Sequence, residues 1–149
     1  MWKTLRLATA MVLLVGSGLL NASCAPPKLP PNLTPSEQAA YKRDVYANEA
    51  VVTIGSLQHT AIELNKVMIC ASAEPTSCHQ ALSEANTRVV VRASNGALKV
   101  IQAVPSGWKA ATDVALEQIE NELDATGKTK FMPWVMAARG ALAALPQQN

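Results

Sequence analysis

Aromatic side chains are scarce in this sequence. Phe, Trp and Tyr make up 4% of 149 residues, and there is one Phe. A core cannot be assembled around large rings, so it has to come from close approach of small aliphatic side chains, and alanine favours helices for that purpose. Charged residues are also few, at 16%, and the two signs nearly cancel. This balance gives no electrostatic reason to expect nucleic acid or an anionic bilayer surface as the main partner. No glycine-rich phosphate loop, zincin motif or nucleophile elbow occurs. The longest apolar run, over residues 7–20, falls short of the roughly twenty residues that a spanning helix needs. No convincing repeat at 20–50 residues suggests a solenoid. What remains is a chain that is 49% hydrophobic, long enough for one core and too short for two.

The stretch 34–73 is free of proline after Pro35 and organises the rest. Thr34-Pro35-Ser36-Glu37 carries the reciprocal capping pair of a helix start, with proline at the first helical position. Ala40, Ala47, Ala50, Ile54, Leu57, Ala61, Leu64 and Met68 step mainly by three and four, which predicts one buried face on one long helix. Pro75 should end it near residue 73 or 74. A second helix over 76–104, capped by Thr76 or Ser77, returns along the first and presents Ala81, Leu82, Ala85, Val89, Ala93, Val100 and Val104. Residues 88–101 also read as two β-branched runs flanking Asn95-Gly96, a strong hairpin signal. Helix is preferred there because an isolated hairpin would leave the long helix unpartnered.

Pro105-Ser106-Gly107 breaks the second helix, and Ser106 is a candidate cap for a third. The third carries the stripe Trp108, Ala111, Ala115, Ile119 and Leu123, and Gly127 is expected to stop it near residue 125. A fourth helix is expected from about 131–133 to Leu145, with Phe131, Val135, Ala138, Leu142 and Leu145 inward. The fold class that follows is all-α: a small antiparallel bundle of about four helices built on one long N-terminal helix hairpin, spanning 34–146, with 147–149 a frayed tail.

At the amino terminus, Lys3 and Arg6 precede the apolar run, and small residues follow at Asn21-Ala22-Ser23. This is the layout of a secretory signal over residues 1–23. Of the 13 Lys and Arg in the chain, removal of these two leaves 11 against 11 acidic residues. Ala22-Ser23-Cys24 resembles the bacterial lipoprotein signal, although Asn21 stands where that family usually places leucine. The resemblance implies that Cys24 is lipidated, becomes the new amino terminus and holds the protein on a membrane of the bacterial envelope. The alternative is cleavage after Ala25 and a secreted soluble protein. The proline-rich segment within 24–33 favours polyproline II and reads as a tether, about 20–30 Å long at 3.1 Å per residue.

Candidate chemistry is thin. Cys70 and Cys78 flank the first turn and are expected to form a disulfide in an exported chain. As metal ligands with His79 they would make only three donors, where structural zinc takes four. His59 and Glu63, one helical turn apart, could orient an imidazole for base catalysis but fit a surface pair better. Arg88 and Arg92 share a face and could clamp an anion, or pair with acids of the first helix. Asp44, Glu49, Glu117, Glu120 and Glu122 read as solvated faces. No catalytic residue, metal or cofactor is expected. The function class is a non-enzymatic exported envelope protein, with a membrane reached through its lipid and a protein as partner. A small-molecule or lipid carrier with a cavity between helices is the alternative.

Overall fold

The computed structural model describes residues 28–70 and 78–146. In order they form α1 (Pro35–Lys66), β1 (Met68–Cys70), β2 (Cys78–Gln80), α2 (Glu84–Ala103), a short 3-10 turn (Pro105–Gly107), α3 (Trp108–Glu122) and α4 (Ala125–Ala143). The all-α expectation holds. α2 packs between α1 and α3, and α4 closes the bundle against α1 and α3.

The start of α1 is as expected. The Glu37 N–H donates to the Thr34 hydroxyl at 3.4 Å, and the Thr34 N–H donates to the Glu37 carboxylate at 2.8 Å. Ahead of it residues 28–30 have no helix or strand and 31–32 turn, with Asn32 at a φ of 73°, a left-handed conformation that Asn tolerates. The end of α1 differs: it stops at Lys66 rather than near residue 73. Val67 is extended, and its N–H turns back to the Leu64 carbonyl. β-branched Val67 and Ile69 favour strand, and the chain that returns through β2 supplies the partner. Met68, expected inside, is therefore an exposed strand residue.

α2 begins at Glu84 instead of residue 76, with Ser83 as its cap accepting from the Asn86 N–H at 3.3 Å. The earlier cap candidates, Thr76 and Ser77, lie outside the described residues. Residues 88–101 are helical through Asn95 and Gly96, and Asn95 accepts a hydrogen bond from Gln58 of α1 at 3.2 Å. The buried face of α2 is rotated from the one expected. Ala85, Val100 and Val104 are exposed and Val89 is half-buried, while Asn86, Thr87, Val90, Ala93, Ser94, Ala97 and Ile101 face inward. A search for apolar spacing alone passes over Asn, Thr and Ser, which enter a core most readily when hydrogen bonds satisfy them. Thr87 is satisfied by donating to the Ser83 carbonyl at 3.0 Å, whereas the fully buried Ser94 hydroxyl has no hydrogen-bond partner among the described residues.

α3 starts at Trp108 without a side-chain cap. Ser106 does not serve, because Pro105 sets a 3-10 turn in which the Gly107 N–H donates to Val104. α4 starts at Ala125, well before the expected residue 131, and Gly127 lies within it rather than ending α3. Pro133 sits inside α4 on an exposed face, where water can satisfy the carbonyl that its missing N–H leaves free. The core is a single cluster in which Ile54, Leu57, Leu82, Leu116, Ile119 and Phe131 are fully buried. Ala50, Ala61, Ala93, Ala97, Ala115 and Ala138 fill the places between them, which lets the helix axes approach closely.

Candidate functional site

Two features meet at the end of the bundle where α1 finishes and α2 and α4 begin: a disulfide-closed hairpin and a cleft behind it. β1 and β2 pair antiparallel, with Met68 opposite Gln80, Ile69 opposite His79 and Cys70 opposite Cys78. The two cysteines form a disulfide with Cα atoms 4.0 Å apart, inside the limit of about 7 Å for such a bridge. Two backbone hydrogen bonds root the hairpin in the bundle, Ala81 N–H to the Val67 carbonyl at 2.8 Å and Leu82 N–H to the Leu64 carbonyl at 3.2 Å. Asn65 adds a third, donating to the Leu82 carbonyl at 3.0 Å. The outer strand is apolar and open to solvent: Val67, Met68 and Ile69 are 47%, 55% and 43% exposed.

The bridge uses both sulfurs, so neither cysteine can offer a thiolate to a metal beside His79. Among the described residues no group of three or more His, Cys, Asp and Glu side chains could hold an ion. His59 is exposed on α1, and the Glu63 carboxylate accepts a hydrogen bond from Lys66 at 2.7 Å. That bond, more than the field of His59, holds Glu63 below its ordinary pKa. The acid therefore turns to a lysine and does not orient the imidazole.

The arginines are also committed, though not to α1 as expected. Arg88 pairs with Glu84 of its own helix, and Arg92 pairs with Glu122 of α3. Glu120 accepts from Arg139 of α4 at 2.6 Å. Two carboxylates expected on a solvated face thus link α3 to its neighbours, because the true packing angles bring Arg92 and Arg139 to them. Asp44 pairs with the adjacent Arg43.

The cleft, of about 330 Å³, lies between β2 and the amino-terminal ends of α2 and α4, and is lined in part by His79, Gln80, Ser83, Asn86, Asp124 and Lys130. Its floor is a joint centred on Asn86, which is 3% exposed. The Asn86 amide donates to the Ser83 hydroxyl and to Asp124 Oδ2, each at 2.9 Å, and its Oδ1 accepts from the Asp124 N–H at 3.2 Å. Asp124 also caps α4 by accepting from the Gly127 N–H at 2.7 Å. This bond first, and the Asn86 amide second, hold the Asp124 carboxyl below its ordinary pKa. Glycine is needed at 127: a Cβ there would stand 2.5 Å from Asn86 Cγ. Paired helix amino termini attract anions, but here a carboxylate already occupies the position. The joint is satisfied from within and holds α2 to the α3–α4 corner.

Of the joint residues only Gly127 was singled out in sequence, as a helix breaker, although the cap spacing was present at Ser83 to Asn86 and at Asp124 to Gly127. Cys24, the proposed signal over 1–23, Pro26, Pro27 and the tail 147–149 lie outside the described residues. Among the described residues no helix is long and apolar enough to cross a membrane. No protein-family model, curated protein or solved structure matches this chain.

Proposed function

We propose that this is a non-enzymatic, exported protein of the bacterial cell envelope, held to a membrane by lipid on Cys24, that works by contact with another protein. The observation that carries this reading is the hairpin, whose outer strand presents Val67, Met68 and Ile69 as three consecutive exposed apolar residues, where the helices expose such side chains singly or a turn apart. Exposed contiguous apolar residues on a rigid support are what a recognition element presents. The support is rigid because the hairpin is bridged covalently and rooted by three hydrogen bonds.

The carrier alternative is less favoured, since the α1 seam residues Ala50, Ile54, Leu57 and Ala61 are fully buried in the core cluster and line neither the cleft behind the hairpin nor the one between α3 and α4. Two measurements test the proposal. Mass spectrometry of the mature protein should find a diacylated or triacylated Cys24, and an unmodified terminus at Pro26 or retention of Met1 would rule out the anchor. A photoreactive residue at position 69 should crosslink to protein in intact cells, and crosslinking no greater than from exposed position 59 would rule out the hairpin as the contact.

A further inference from the structure

The hairpin edge has a definite hydrogen-bonding register. The Ala81 N–H bonds the Val67 carbonyl, so Val67 and Ala81 form a hydrogen-bonded pair of the antiparallel ladder. With the observed register, alternation makes Ile69 and His79 the next such pair, and the backbone N–H and C=O groups of Met68 and Cys70 point away from β2. The other edge is different in kind. β2 is polar, and its residues His79 and Gln80 line the cleft beside α4. β1 is the apolar edge and none of the described residues covers it, and Val67, Met68 and Ile69 carry none of the lysine, proline or charge that usually blocks one.

We infer that the β1 edge pairs with the same edge of a second copy, two-fold and antiparallel, to form a continuous four-stranded sheet. The inference rests on the reading of the hairpin as the contact surface. A two-fold axis through Ile69 sets Met68 against Cys70 of the other copy and Cys70 against Met68, and these are the residues whose backbone groups point outward. Four backbone hydrogen bonds then form, with Ile69 facing Ile69 at the closer, non-hydrogen-bonded position. The requirement peculiar to this geometry is charge. Around a two-fold axis a residue near the axis meets its own copy, so any charged side chain there meets its like. Val67, Met68, Ile69 and Cys70 are all uncharged, and the residue on the axis is an isoleucine, which pairs well with itself across strands.

Sedimentation of the full chain from micromolar to millimolar concentration tests this, with hydrogen exchange at residues 68 and 70. A monomer–dimer equilibrium is expected, and the Met68 and Cys70 amides should gain protection as the dimer fills. Met68→Pro removes an N–H that the hairpin itself does not use, and Ile69→Lys sets like charges face to face. Each should weaken self-association by roughly tenfold or more with helix content unchanged. A dimer indifferent to both variants overturns the inference. So does a monomer at every concentration, and crosslinking from position 69 then separates the two readings. Crosslinks to a different protein leave the hairpin as the contact surface and exclude self-pairing, whereas none at all removes both.

Discussion

The hairpin and the Asn86 joint close the same end of the bundle by opposite means. The hairpin links α1 to α2 with a covalent bridge and leaves its side chains in solvent. The joint links α2 to the corner between α3 and α4 through the buried Asn86 side chain, whose amide nitrogen and oxygen both have partners. A disulfide acts largely by restricting the unfolded chain, so it can stabilise a segment with little packing. A buried polar joint acts only if every member is satisfied in the folded state. The first arrangement leaves a surface available for binding, and the second uses up its own.

The contrast can be tested by substitution against the core as a reference. Leu57→Ala, in the fully buried seam of α1, should destabilise by about 2–5 kcal/mol in denaturant unfolding. Replacing Cys70 and Cys78 together with serine should cost about 2.5 kcal/mol for a loop of this size, with the loss of exchange protection concentrated in the hairpin. Loss of stability with no local loosening of the hairpin would break the distinction. Asn86→Ala should cost about 1–3 kcal/mol, since it removes the buried amide that bonds both Ser83 and Asp124. Its loosening should appear in α4, which the disulfide pair should spare.

Smaller effects probe charge. The Asp124 carboxyl titrates below its ordinary 3.8 in the folded chain. Its contribution to stability is therefore fully present above that value and is lost as pH falls through the lower folded value. Asp124→Asn should lower stability at neutral pH, where that contribution is full, and flatten the acid limb of the stability curve below about pH 4. An unchanged acid limb would remove Asp124 from the joint. His59→Ala should fall within about 0.5 kcal/mol, as an exposed change does, and should leave crosslinking from position 69 intact. Loss of function in a folded His59→Ala protein would overturn the non-enzymatic reading.

The elements that were legible in sequence are those whose signal is local. Thr34, Pro35 and Glu37 start α1 by bonds within one turn. Cys70 and Cys78 stand at a spacing that a single turn brings together. The stripes Ala47, Ala50, Ile54, Leu57, Ala61 and Phe131, Val135, Ala138, Leu142 repeat often enough to identify their inward faces. The joint escaped notice because each of its members has a plausible local role. Gly127 reads as a breaker, and Ser83 and Asp124 have the form of ordinary helix caps. Only their distance from one another, across 38 residues between Asn86 and Asp124, gives them a shared one.

The sequence alone therefore determined the helical class, the covalent bridge and the inward face of α1, because periodicity and cap chemistry act over a few residues. The tertiary structure decided where α1 gives way to strand, which face of α2 turns inward, and which edge of the hairpin stays open. Those outcomes depend on which surfaces meet. β1 exists because β2 returns beside it, and α2 buries Asn86, Thr87 and Ser94 because its two neighbours approach from that side, which no spacing along a single helix encodes.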